Sequence, residues 1–204
     1  MLKNEKRYSL IYYIIILSSI ILLETIPLEL GIAKVSDLSM VPNLSKNQNV
    51  LYLKHARINH GSVVVINTNT SQFYLHHTPV NRPLICRVIG LPGDKIDSRK
   101  ASLYVNDRKI NQDYINQSQT NEGIGNWNLE NISIENSWLI DGSIHVPPHM
   151  YFVLGDNRSI AKDSRVYGFI SRGSIDGVVK VPIWSNKSTR KVINKQWEDF
   201  YYLP

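Results

Sequence analysis

Residues able to do chemistry gather at two places far apart in the chain. The first is Leu84-Ile85-Cys86-Arg87-Val88-Ile89-Gly90-Leu91-Pro92-Gly93-Asp94, an apolar run with one cation in it that ends in a turn rich in Gly and Pro. An arginine inside an apolar strand requires a buried partner. The second is Gly155-Asp156-Asn157-Arg158-Ser159-Ile160-Ala161-Lys162-Asp163-Ser164-Arg165, which follows directly on the apolar run Met150 to Leu154. A solvated loop is the plain explanation of such charges. The abrupt junction with an apolar strand instead predicts an ion-pair network at a site, with the partner of Arg87 in this loop. Beside Arg87 stands Cys86, the only cysteine. One cysteine excludes an intrachain disulfide and a paired-cysteine metal site. Among six histidines only His76 and His77 are adjacent, and no HExxH spacing occurs, so neither a metal nor another cofactor is expected.

These residues need elements to hold them. The 204 residues suffice for one domain of moderate size plus an anchor. The net charge of +6 is scattered rather than blocked, which points to solubility and attraction to anionic membrane rather than to nucleic acid. Lys3, Lys6 and Arg7 precede an uncharged run from Tyr8 to Leu23, flanked at its charged end by Tyr8, Tyr12 and Tyr13. That run is slightly short of the ~20 residues that span a bilayer. With the flanking residues it reads as an anchor over 8–30, with residues 1–7 cytoplasmic and the main domain on the trans side, extracytoplasmic or lumenal. A cleaved signal peptide is the competing reading, but no A-x-A-like site follows.

Short β-branched runs then recur: Val50 to Leu53, Val63 to Ile66, Phe73 to Leu75, the run into Gly90, Met150 to Leu154, and Val178 to Trp184. Leu103 to Ile110 reads as a hairpin turning at Asn106-Asp107. The exported region 31–185 is therefore expected to be mainly antiparallel β. Residues 35–44 form either an ordered turn at the bilayer surface or an ordinary linker. Asn111 to Trp138, rich in Asn, Gln, Ser and Glu, reads as an inserted lobe or a flap. Residues 186–204 are expected to be a loosely docked tail.

Three stretches, Ser39-Met40-Val41-Pro42, Arg87 to Asp94, and Gly155-Asp156-Asn157-Arg158 with Asp163-Ser164-Arg165, resemble the motifs of type I signal peptidases, membrane-bound serine endopeptidases that remove signal peptides. The resemblance runs in consistent order over roughly residues 1–185. It implies a β-rich catalytic core with an inserted cap lobe near 106–148, behind one N-terminal transmembrane helix. It also implies a Ser–Lys dyad, with Ser39 as the nucleophile and a lysine base immediately before Arg87, and, with the cation in an apolar strand, structural ion pairs that set Arg87 on Asp156 and Asp163 on Arg165, Arg158 among them.

That lysine position is Cys86 here. The serine that would orient the base is Ala161, and the oxyanion-assisting serine two residues before the nucleophile is Asp37. The threonine usual after the motif's proline is Asn43. A thiolate can accept a proton, with an ordinary pKa near ~8.5. Its sulfur ends three atoms sooner than a lysine amine, roughly 3–4 Å short of a contact that must close to about 3 Å. His76 and His77 are the substitute bases to consider. Two functions follow. One is a peptidase with an impaired, water-mediated or unconventional base. The other is a non-catalytic relative that binds signal peptides or partners an active signal peptidase. An anchored β domain of structural role is the bland third reading. Expected partners are signal peptides of exported preproteins and membrane lipid.

Overall fold

The computed structural model describes residues 11–18, 29–69, 73–75, 78–100, 102–121, 127–135 and 145–202. Most elements are strands, and they centre on β6 (Leu84–Gly90), whose seven residues are all buried. That burial explains why the run is apolar on both faces rather than alternating. β6 lies between β3 (Val63–Ile66) and β11 (Met150–Leu154) in a seven-stranded antiparallel sheet. The order across it is β1 (Leu30–Lys34), β2 (Asn49–Leu53), β13 (Ile175–Lys180), β3, β6, β11, β12 (Ile170–Ser171). Register sets Cys86 opposite Val64, and Arg87 opposite both Val63 and Leu154.

Alternation along β6 sends neighbouring side chains to different clusters. Leu84, Cys86 and Val88 pack with Val64, Ile66, Val153, Ile175 and Val178. Ile85 packs instead with Ala33, Val35, Met40, Val63 and Val65. Ile89 joins a third cluster shared with a smaller sheet, ordered β10 (Trp127–Asn128), β7 (Ile96–Arg99), β8 (Ser102–Val105), β9 (Arg108–Lys109). Gly90 permits that junction, since a Cβ there would lie 2.2 Å from Ile96 Cδ1. The β8–β9 turn places Asn106 and Asp107 at φ 51° and 61°, the backbone of a primed hairpin turn. Between β3 and β6 sits a small hairpin, β4 (Tyr74–Leu75) with β5 (Thr78–Pro79). The segment 106–148 contributes α2 (Gln117–Asn121) and α3 (Leu129–Glu135) and shares its sheet with β7 and β8.

Residues 186–202 are not the loosely docked tail expected of 186–204. They form α5 (Lys187–Asn194) and a closing turn that buries Ile193 and Phe200 at 2% exposure each. A fully buried side chain of this size contributes about 1.5–3 kcal/mol, enough for two of them to hold a short segment down. Periodicity over eight residues is too short to show this in sequence. The remaining helices are α1 (residues 11–18) and α4 (Ser164–Tyr167). Among the described residues no helix is long and apolar enough to cross a membrane. α1 covers part of the expected anchor, whose residues 8–10 and 19–28 lie outside the described residues, as do His76 and His77; its expected end at Leu30 is instead the start of β1.

Candidate active site

Ser39 lies in the turn between β1 and β2. The side chains of Val35, Met40 and Leu44, each no more than 1% exposed, root that turn in the core. Its backbone docks on the loop after β11, where Asn157 N–H donates to Ser39 O at 2.8 Å and Asn157 Nδ2 to Leu38 O at 3.3 Å. Gly155 makes this approach possible. A Cβ there would stand 2.8 Å from Ser39 O, 2.4 Å from Ala161 Cβ and 3.5 Å from Ser39 Cβ. The structure thus brings Ser39 and Ala161 to one spot from positions far apart in sequence.

Among the described residues nothing at this spot is placed to take the serine proton. Among the described residues the Ser39 hydroxyl has no hydrogen-bond partner, and no bond joins it to Cys86. The Cys86 thiol is packed in the cluster beneath β6. Burial, and then the carboxylates of Asp163, Asp37 and Asp156, push its pKa well above the ordinary thiol value, with Arg165 opposing. It is therefore a neutral thiol at physiological pH and a poor proton acceptor. Ala161, 8% exposed, offers only a methyl group at this spot.

The backbone N–H of Ser39 is also engaged. It donates to Asp37 Oδ1 at 2.9 Å. The other oxygen of that carboxylate pairs with Arg82 Nη1 at 2.9 Å, and the same nitrogen donates to Ser36 Oγ at 3.0 Å. Ser36 Oγ in turn donates to Pro83 O at 3.3 Å. A clasp therefore joins the chain before Ser39 to the start of β6. Its carboxylate holds the donor that an acyl-transfer site would direct at an oxyanion.

The charged residues of the second motif surround this turn from below. Arg87 donates from Nε to Asp156 Oδ1 at 2.8 Å and from Nη2 to Asp156 Oδ2 at 2.7 Å, both side chains being fully buried. Its Nη1 reaches Gly61 O and Val192 O, each at 2.9 Å, so α5 is tied to the same guanidinium. The guanidinium carbon lies 4.1 Å from the centroid of the Tyr114 ring. Asn43 Nδ2 bridges Asp156 Oδ2 at 2.8 Å and Tyr114 O at 2.7 Å, linking the Ser39 turn to the ion pair.

Arg158, expected among the ion pairs, meets no carboxylate among the described residues. It donates to Gly155 O at 2.9 Å, Gln112 Oε1 at 2.7 Å and Tyr114 Oη at 2.7 Å. Asp163 caps α4 and accepts from Gly155 N at 3.0 Å, while Arg165 grips its two oxygens at 2.9 and 2.8 Å. These bonds fix the loop that fixes Ser39.

Three participants escape a reading by motif. Gln112 and Tyr114 sit in a polar stretch, where an isolated aromatic was the only signal of burial. Arg82 lies just outside the β-branched run, and nothing in its neighbours announces Asp37 as its partner.

The sequence model of the family described as "Signal peptidase, peptidase S26" matches residues 6–184. A signal peptidase IB of Staphylococcus aureus (strain Mu50 / ATCC 700699) is 32% identical over 150 residues, which cover 72% of this chain and 73% of that protein. A signal peptidase I of Bacillus caldolyticus is 32% identical over 153 residues, covering 73% of this chain and 76% of that one. The crystal structure of a signal peptidase I from Enterococcus faecalis V583 aligns with a TM-score of 0.47 at 28% identity, covering 60% of this chain and 97% of that chain.

Proposed function

Since the chain belongs to the signal peptidase family, peptidase S26, we propose that it recognises the signal peptides of exported preproteins but turns them over weakly or not at all. Ser39 stands at the nucleophile's position without a base. The observation that carries this reading is the Ser39 hydroxyl, which has no acceptor among the described residues while the nearby thiol is held neutral. A serine hydroxyl attacks a carbonyl only when a base takes its proton.

Recognition needs less than catalysis. β6 pairs with β3 at Leu84 to Arg87 but with β11 only from Arg87 onward, so Leu84 to Cys86 have a ladder partner on one side. An extended peptide can add there by backbone hydrogen bonds, lying between β6 and the Ser36–Ser39 segment. The clasp of Asp37 and Arg82 lies across that approach and must open to admit a peptide. An anchor that begins at residue 8 and ends before β1 holds the domain, residues 1–7 stay cytoplasmic, and the β domain faces the trans side in contact with lipid.

Two measurements on the detergent-solubilised full chain test the proposal. A labelled signal peptide is expected to bind, and a preprotein carrying it to remain uncut over times in which a Ser–Lys peptidase completes cleavage. Rapid cleavage would overturn the absence of a base, and absent binding would overturn recognition.

A further inference from the structure

Asp97 and Arg99 share one face of β7, with Lys95 just before the strand in the same alternation, and register sets Asn128 of β10 opposite Asp97. With Trp127 and Asn131 these side chains line a cavity of about 390 Å³, within the ~300–1,000 Å³ typical of small-molecule sites. A second cavity of about 120 Å³ shares Lys95 and Asn128 with it and continues to Leu129 and Glu130. The Asp97 side chain is only 9% exposed. Its Oδ2 accepts from Arg99 Nη2 at 2.6 Å, but its Oδ1 is shut off from solvent and meets no donor among the described residues. Trp127 Nε1 is likewise enclosed without an acceptor. A buried polar atom left unmet is costly and calls for an occupant.

The neighbouring side chains do not fill that place. Asn128 Oδ1 accepts from the Asn131 N–H at 2.8 Å and so caps α3, which commits the amide and keeps it from turning to Asp97. Asn128 Nδ2 and the side-chain amide of Asn131 have no partner among the described residues. The charges are already balanced. Arg99 Nη2 also donates to Asp107 Oδ1 at 2.7 Å, and Lys95 Nζ lies 3.5 Å from Asp107 Oδ2. An added anion would face Asp97, and an added cation would face Lys95 and Arg99. What stays unmet is a set of hydrogen-bonding groups of mixed sense: an acceptor at Asp97 Oδ1 and amides that donate and accept. A hydroxyl group does both. A saccharide presents several hydroxyls at fixed spacing and carries no charge.

We propose that the face of the smaller sheet formed by β7, β10 and the start of α3 binds a neutral oligosaccharide. One hydroxyl donates to Asp97 Oδ1, the half-exposed Arg99 side chain swinging outward to admit it, and its neighbours bond the Asn128 and Asn131 amides. A hollow between charged side chains would explain the cavity, but not a carboxylate oxygen enclosed there without a donor. A peptide would need a strand edge to pair with, and β10 offers only two residues. The site shares no residue with the Ser39 turn or its ion pairs, so it stands whether the chain cleaves peptides or only binds them.

The test is calorimetric titration of the full chain in an amine-oxide detergent, which has no sugar headgroup to compete. The probes are cellotriose and chitotriose, with trigalacturonate as the acidic control and N-acetyl-triglycine amide as the peptide control. At least one neutral trisaccharide is expected to bind, with an affinity that does not change as salt rises. Asp97→Ala removes a hydrogen bond to a charged group and should weaken that binding by at least about tenfold. Asn131→Ala alters an exposed position, so it should leave the melting midpoint unchanged and still weaken binding by about 2- to 10-fold. It keeps the test decisive even if Asp97→Ala disturbs the sheet. No heat with either neutral trisaccharide overturns the proposal. So does tighter binding of the uronate or of the peptide amide, or an affinity that Asn131→Ala leaves unchanged.

Discussion

If the missing base is what silences Ser39, restoring it should produce a peptidase. Cys86→Lys places an amine on β6 beside Arg87, and Ala161→Ser returns a hydroxyl next to Gly155, where Ala161 Cβ and Ser39 Cβ converge. A positioned general base contributes ~10²–10⁴-fold. The Ser39 N–H would still be bound to Asp37. Removing one oxyanion donor typically lowers the rate by about 10²–10³-fold, so Asp37→Ser should add a second step of that order. The two gains will not simply multiply, because groups that act together are not additive. Asp37→Ser alone should leave the rate unchanged, since a free oxyanion donor is of little use to a serine that keeps its proton.

The assay is release of a labelled signal peptide from a preprotein by the full chain in detergent. It compares the parent, Asp37→Ser, the Cys86→Lys/Ala161→Ser pair and the triple variant, each also carrying Ser39→Ala. A longer side chain in a packed cluster costs about 1–3 kcal/mol, so melting midpoints must be read beside the rates. Ser39→Ala should abolish every gain. The reasoning fails if the parent cleaves as fast as the triple variant and Cys86→Ala leaves that rate intact. Another base would then be serving Ser39, and His76 and His77 would be the next substitutions.

Three further outcomes follow from the geometry. Arg87→Ala leaves Asp156 buried and unpaired and strips donors from Gly61 O and Val192 O, so it should lower stability by about 3–5 kcal/mol in urea unfolding; an unchanged midpoint would contradict the burial. The Cys86 thiol has a raised pKa in the folded protein, so the unfolded chain loses its proton first. Stability should therefore be full below the ordinary thiol value near ~8.5 and decline above it, and Cys86→Ala should flatten that decline. In sealed vesicles, proteolysis from the cytoplasmic face should spare residues 35–204, and their digestion would reverse the proposed topology.

Much of the fold is readable in sequence because β6 is a long apolar run ending in turn residues, and few environments other than a buried central strand suit it. The same logic reaches the ion pair. A cation in that strand demands a carboxylate, and Asp156 meets Arg87 across 69 positions. What escapes is contact made by residues of ordinary character. Tyr114 and Gln112 look like parts of a polar lobe until Arg158 is seen bonded to both. The end of the chain looks polar because, among its described residues, Ile193 and Phe200 are the buried apolar side chains and the third buried residue is Gln196. Sequence composition averages over such side chains, whereas a packed core selects them one at a time.

Asp37 shows the same limit at the site itself. From sequence, a carboxylate two residues before Ser39 is only an unfavourable charge near a developing oxyanion. In the folded chain that spacing lets Oδ1 reach back to the Ser39 N–H, and Arg82 compensates the charge from the other side. Under the proposed function, the carboxylate competes with an oxyanion for that N–H. Relative to the family's motifs, the groups that hold the Ser39 turn in position all find partners: Arg87 on Asp156, Asn43 on Asp156, Arg165 on Asp163, Asn157 on Ser39. The groups that would move a proton or hold an oxyanion are the ones replaced or engaged. On the proposed function, a scaffold that keeps its serine in register with no acceptor for the hydroxyl among the described residues, and with the serine N–H engaged, is suited to holding a peptide at that serine, which is why binding without cleavage is the outcome expected of it.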